Sequence, residues 1–211
     1  MRDGDDGVPP SLLRPPAGLE ETTLAREDLF LGRIVRLHRD RVRLPNGREG
    51  EREVVDHPGA VAILPVTPAG RIVLVWQYRQ PAGAAVLEIP AGKLAPGEDP
   101  EACARRELAE ETGYAAGRLR PLGRYLPSPG FSGEWLSLFV GDRLVRGPAR
   151  PDADEFLAPV EASPTELDAL LAAGAVHDLK TVAAYLWWRG EMAPLGDDGG
   201  AERDDRRRQR G

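Results

Sequence analysis

The sequence predicts an α/β protein: a mixed central sheet with helices on both faces, preceded by an antiparallel strand region. Three observations lead there. Short apolar runs of strand character stand both before and after one central helix. Two of these runs, residues 61–66 and 72–76, are apolar throughout and so need cover on both faces. Two more helices close the chain, one of them opened by a capping-box sequence. The 211 residues suffice for one domain with a sizeable core.

Taken in order, residues 1–20 are rich in Gly, Pro and Asp and read as a flexible N-terminal arm. Residues 21–57 form a strand region. Its apolar residues, Phe30, Ile34, Val35, Leu37, Val42 and Leu44, alternate from residue 29 on, Pro45-Asn46-Gly47 marks a turn, and Glu53-Val54-Val55 resumes an extended pattern. Residues 58–190 hold the main domain. Within it the runs 61–66 and 72–76, split by Thr67-Pro68-Ala69-Gly70-Arg71, read as a hairpin, and residues 86–90 as a short strand. The central helix starts at Asp99, a capping residue, with Pro100 at the first helical position, and stops at Gly113.

Residues 119–126 and 134–140 are strands around a Pro/Ser/Gly loop, and 156–160 is a last short strand. Ser163-Pro164-Thr165-Glu166 caps a helix to about Ala172. Asp178 caps the final helix, with Leu179, Val182, Ala183 and Leu186 on one stripe. Residues 191–211 are charged and Gly-rich and read as a disordered tail.

Composition narrows the function. A net charge of −6 gives no general case for nucleic-acid binding. No apolar run reaches the ~20 residues that span a bilayer, and the first ten residues lack a signal-peptide layout. Cys103 is the only cysteine, which excludes an intrachain disulfide and a cysteine zinc site and fits a reducing cytoplasm. Lys93 and Lys180 are the only lysines, read as a compositional habit. His38, His57 and His177 form no local ligand set. Of these, His57, ahead of Pro58, reads as a loop-stabilising residue.

The chemistry is concentrated in residues 92–114, GKLAPGEDPEACARRELAEETGY. Glu107, Glu110 and Glu111 fall at i, i+3 and i+4 and share one helix face. Like charges at that spacing destabilise an isolated helix. On their own, three glutamates read as a solvated acidic face. A hard divalent cation turns the repulsion into binding, because Mg²⁺ and Mn²⁺ prefer oxygen ligands.

The surrounding positions decide between the two. Gly92, five residues, Glu98, seven residues, Arg106-Glu107-Leu108, one residue, Glu110-Glu111, one residue and Gly113 match the signature of the Nudix hydrolases. Tyr114 departs from it, standing where a small aliphatic is usual. The chain also resembles the ADP-ribose pyrophosphatase branch from about residue 30 to 187. The stretches that carry this are residues 52–59 (REVVDHPG), 77–79 (QYR), 88–92 (EIPAG) and Pro129, sixteen residues after Gly113.

The resemblance implies a Nudix α/β/α sandwich that hydrolyses the pyrophosphate bond of ADP-ribose to AMP and ribose 5-phosphate with Mg²⁺ or Mn²⁺. It implies metal binding by Glu107, Glu110, Glu111 and the Ala91 carbonyl, with Glu98 and Arg106 as a bracing ion pair. Substrate contacts fall on Arg52, which often acts from the partner subunit, on Arg79, and on Glu88, Pro129, Gly130 and Glu134. Glu88 reads equally as a buried structural partner. The general base lies on a loop after the sheet, where Glu155 is the first choice and Asp154 the second. The resemblance further implies a homodimer in which the strand region crosses to the partner. Another nucleoside diphosphate sugar, a flavin or a dinucleotide stays open as substrate. A non-catalytic Nudix ligand sensor is the alternative of a different class; it predicts eroded carboxylates or an added DNA-binding domain, and neither is evident here.

Overall fold

The computed structural model describes residues 9, 12, 14–149 and 155–192. Most of the expected N-terminal arm and tail, and Asp152 and Asp154, lie outside these residues.

Three strands, β1 (Thr22–Leu31), β2 (Arg36–Arg43) and β3 (Glu49–Asp56), form an antiparallel sheet in the order β1-β2-β3. The β2–β3 turn is the expected one. Gly47 adopts φ +83°, its N–H donates to the Leu44 carbonyl at 2.9 Å, and Asn46 Oδ1 accepts from Arg48 N–H. Strand β1 begins seven residues before the apolar alternation that marked it, because its length is set by pairing with β2 from Thr22 onward.

The remaining residues form two sheets. One is mixed and four-stranded, ordered β7 (Ala91–Lys93), β4 (Ala60–Pro65), β9 (Leu136–Arg146), β8 (Tyr114–Tyr125), with β4 and β9 parallel. The other is antiparallel, ordered β10 (Leu157–Ala162), β5 (Ile72–Arg79), β6 (Ala84–Glu88). Helix α1 (Pro100–Thr112) lies between β7 and β8 in the chain, and α2 (Pro164–Ala172) and α3 (Leu179–Met192) follow β10.

Strand β4 explains the layering. Its side chains alternate in direction, so successive residues enter different cores. Val61 and Ile63 pack with Val73, Cys103, Ala104, Leu108, Leu119 and Phe139, on the α1 side. Ala60, Ala62 and Leu64 pack with Leu74, Ile89, Leu138, Leu167, Ala184, Tyr185 and Trp188, on the α2 and α3 side. Each Leu or Ile so buried contributes about 1.5–3 kcal/mol. This is the expected sandwich of sheet between helices.

Two expectations are corrected. Residues 61–66 and 72–76 do not pair as a hairpin. A tight turn joins them, with Thr67 N–H on the Arg71 carbonyl at 2.8 Å, but only Val66 and Ile72 bridge. Pro65 has no N–H to continue such a ladder, and Val66 N–H goes to Gly141 of β9 at 2.7 Å. Both edges of β4 and of β5 are taken by other strands.

The stripe of α3 is the second correction. Leu179 and Leu186 are exposed, and Thr181, Ala184, Tyr185 and Trp188 face the core. Positions shifted by two residues lie on nearly opposite sides of a helix. Tyr185 can be buried because its one hydroxyl proton is shared between two acceptors, the Asp168 carboxylate at 2.6 Å and the Pro164 carbonyl at 2.8 Å.

Candidate active site

Helix α1 begins as its sequence dictates: Asp99 accepts from Ala102 N–H at 3.0 Å, Pro100 opens the first turn, and Gly113 ends it in the left-handed region. The loop before it is tied down by Glu98 and Arg106. Arg106 Nε and Nη2 donate to Glu98 Oε1 and Oε2, both at 3.0 Å, and Ala95 N–H adds 2.9 Å to Oε2. The paired guanidinium, with that N–H, holds the Glu98 carboxyl down at about 2. The bracing role expected of this pair is what the geometry gives. Arg106 also reaches Glu107 (2.8 Å), Glu110 (3.0 Å) and the Cys103 sulfur (3.3 Å). Cys103 is buried in the core, its thiol pushed up to about 12 by burial first.

Glu107 and Glu111 are buried, and β7 runs against them. Ala91 N–H donates to Glu111 Oε2 at 3.2 Å. A Cβ on Gly92 would stand 1.9 Å from the Glu107 carboxyl, so only glycine leaves room for that side chain. Burial pushes the Glu107 carboxyl above its ordinary value and the Glu111 carboxyl up to about 8, and the charge of Glu155 adds to both. Arg106 offsets part of this at Glu107, but burial outweighs it, and two such acids are costly unless a further cation joins them. That cost, the all-oxygen donor set and the cradle at Gly92 fit a hard divalent ion. Glu107, Glu111 and the Ala91 backbone would hold it. Glu110 is turned to Arg106, and among the described residues no three acidic, His or Cys side chains already converge at metal-ligand spacing.

Ala91, Gly92, Arg106 and Glu107 form one wall of a cleft of about 810 Å³, which Glu155, Arg79, Glu134, His57, Tyr125, Lys93 and Lys180 also line. Glu155 stands just before β10, so the sheet brings the expected base toward the carboxylate pair. Arg79, at the end of β5, points Nε and Nη2 at Glu88 Oε1 and Oε2 (2.7 and 2.8 Å). Glu88 is 2% exposed and also binds Lys180. Burial opposes its ionisation, but the Arg79 hydrogen bonds and the Lys180 charge outweigh it and keep the carboxyl below its ordinary value. Glu88 therefore acts here as the buried structural partner and does not line the cleft. Glu134 lies 3.7 Å from His57 Nδ1, which accepts from Gly59 N–H at 3.2 Å.

Three expected residues stand apart. Arg52, on β3, donates to the Glu51 carbonyl at 2.9 Å and pairs with Glu21, away from this cleft. Pro129 and Gly130 shape the 127–133 loop and do not line the cleft; Leu126 and Pro127 do. That loop is laced to β3 by Val55 N–H on Phe131 (2.8 Å) and Gly133 N–H on Val55 (3.0 Å). Sequence reasoning missed Lys180, Lys93, Tyr125 and Gln77. The scarcity of lysine, read above as a compositional habit, carried no functional signal for the first two.

Two family models match the chain: a NUDIX domain over residues 56–185 and a nucleoside diphosphate sugar hydrolase N-terminal domain over residues 21–55. Among similar proteins, the ADP-ribose pyrophosphatase of Bacillus subtilis (strain 168) is 43% identical over 168 residues, 79% of this chain and 91% of that protein. The methanol dehydrogenase activator of Bacillus methanolicus is 44% identical over 167 residues, 78% of this chain and 90% of that protein. The ADP-ribose pyrophosphatase of Mycobacterium tuberculosis is 42% identical over 132 residues, 62% and 63% of the two chains. A crystal structure described as an ADP compounds hydrolase superposes with a TM-score of 0.73 at 22% identity, over 82% of this chain and 94% of that one, which shows a shared fold.

Proposed function

Because the chain belongs to the Nudix hydrolase family, we propose that it hydrolyses the diphosphate bond of ADP-ribose, giving AMP and ribose 5-phosphate. The observation that carries this is the pair of buried carboxylates, Glu107 and Glu111, against Ala91 and Gly92 on a cleft that also holds Arg79 and Glu155.

A diphosphate is shielded from attack by its own negative oxygens. Bound Mg²⁺ or Mn²⁺ supplies Lewis-acid neutralisation and lowers the pKa of bound water. The chain's residues do the rest. Glu107, Glu111 and the Ala91 backbone would hold the metal, with Glu110 as a further ligand if freed from Arg106. Arg79, fixed by Glu88, offers its remaining donors to phosphate oxygens. Glu155 takes the proton from the attacking water. Glu134 accepts from ribose hydroxyls.

Residues 58–190 form the hydrolase domain and residues 21–57 the dimer-forming region of a homodimer. Exposed Leu29, Phe30, Leu31 and Ile34, and the distance of Arg52 from its own cleft, support that assembly, in which Arg52 serves the partner's adenosine site. Among the described residues no helix is long and apolar enough to cross a membrane, and with a single buried thiol the reading is a cytoplasmic enzyme.

The test is a panel of ADP-ribose, other nucleoside diphosphate sugars, flavin and dinucleotides with Mg²⁺, read by product identity. AMP and ribose 5-phosphate should form from ADP-ribose. Turnover of another member alone would move the substrate. No turnover of any would favour a ligand sensor. Glu111→Gln should abolish turnover while the protein stays folded. Light scattering at working concentration should give a dimer mass.

A further inference from the structure

Of the 28 Lys and Arg residues only two are lysines, and both line the cleft. Lys180 is the more firmly held. It stands in the first turn of α3, and its side chain is 15% exposed. Its ammonium donates to Glu88 Oε2 and to Asp178 Oδ1, the latter at 2.8 Å. Asp178 is itself fixed: Oδ2 accepts from Thr181 N–H at 3.0 Å and from the Thr181 hydroxyl at 2.5 Å. That hydroxyl oxygen accepts from Ile89 N–H at 2.8 Å, which locks the start of α3 to the residue after β6.

Glu88 is held by two cations, and Lys180 is the second of them. Arg79 already occupies both of its oxygens. Asp178 gives Oδ2 to Thr181 as the cap of α3 and Oδ1 to the lysine. Fixed by these two carboxylates on the wall of the cleft, the ammonium is presented in one place with a donor left for a ligand. An ammonium has three N–H donors, two of them used here. Arg79 likewise uses Nε and Nη2 on Glu88, and its Nη1 makes no hydrogen bond among the described residues. The two cations meet at the same oxygen, Glu88 Oε2.

We propose that Lys180 is a substrate-binding residue, whose remaining N–H takes a phosphate oxygen of the substrate beside Arg79 Nη1. Glu88 then serves as the shared anchor of a two-cation clamp. Lysine suits the position because a compact ammonium reaches three oxygens in different directions, whereas a guanidinium fork is planar. The inference rests on the diphosphate reading of the cleft.

The test measures ADP-ribose binding by calorimetry in EDTA, and KM and kcat with Mg²⁺, for the wild type, K180M, R79A and the double variant. Lys180→Met should weaken binding roughly 10- to 100-fold. It should raise KM more than it lowers kcat, and it should cost a similar factor again in the R79A background. Wild-type affinity in K180M would overturn the proposal. So would a loss that vanishes in the R79A background, since Lys180 would then act only through Arg79. If K180M does not fold, the K180Q/D178N pair removes one charge of each sign and keeps the amide cap for Thr181, and the same outcomes decide. A wild type that neither binds nor hydrolyses ADP-ribose would overturn the substrate reading and this inference together. An active wild type with an unimpaired K180M overturns this inference alone.

Discussion

In β4 all six residues are buried, whereas in β1 nine of ten are exposed and the tenth is half-buried. Both are strands of regular pairing, but the forces behind them differ. The two-sheet body is held by apolar side chains entering cores on both faces of β4. The N-terminal sheet is laced by ion pairs, Arg26–Asp40, Arg39–Glu27 and Arg52–Glu21 among them. It also buries His38 with neither ring nitrogen hydrogen-bonded, the carboxylates of Asp56 and Asp40 standing at 3.4 and 3.6 Å. Exposed ion pairs contribute little each, and three strands need an apolar face packed on something to be stable. The body stands on its own packing, while the N-terminal sheet is the part that the proposed dimer would cover.

The sharpest break of this comparison is chemical. Glu155→Gln, in the body, should lower kcat by about 10²–10⁴-fold with an unchanged melting temperature. Full activity would remove Glu155 as the base. The next effect is on stability. Leu64→Ala, at a fully buried site, should cost about 2–5 kcal/mol in urea unfolding. A cost near zero would mean that the body is not held by this core.

A smaller effect belongs to the ion-pair side. The Arg26 hydrogen bonds hold the Asp40 carboxyl below its ordinary value, with burial working against them. The pair therefore stabilises the fold above the unfolded carboxyl pKa of about 3.9. That contribution is lost as pH falls through the lower native value. Asp40→Asn should lower the melting temperature at pH 7 by less than Leu64→Ala does, and should flatten the acid side of a melting-temperature profile. An unchanged profile would show the pair to be inert.

The smallest effect probes the cover itself. Leu31→Ser, at an exposed site, should change monomer stability by only about 0.5 kcal/mol or less. In the proposed dimer it should also raise the dissociation constant measured by analytical ultracentrifugation. An unchanged constant would place the interface elsewhere.

The same contrast separates what could be read along the chain from what could not. Asp99, Pro100 and Gly113 bound α1 as their local chemistry requires, and the helix period brings Glu107 and Glu111 to one face. The capping box at Ser163 and the turn at Gly47 formed as read. Each of these rests on hydrogen bonds spanning a few residues. The pairing of β4 and β5 was misread because adjacency in sequence favours a hairpin, while edge partners are chosen by cores and by Pro65. The stripe on α3 was misread because its leucines suggested the core side, and the buried side instead carries Tyr185 and Trp188 with partners that only the fold supplies.

Read along the chain alone, the carboxylate helix with its caps and the buried character of the central strands were already fixed; the family came from the resemblance of residues 92–113 to the Nudix signature. The helix and the strands follow from periodicity and from short-range backbone satisfaction. Only the tertiary structure decided which strands are neighbours, that Arg52, Pro129 and Gly130 stand off the cleft wall, and that Glu155 comes toward the carboxylate pair. It also decided that Lys180 meets Glu88 across 92 residues of chain. Such meetings depend on how distant elements share a core, and no local pattern of residues encodes them.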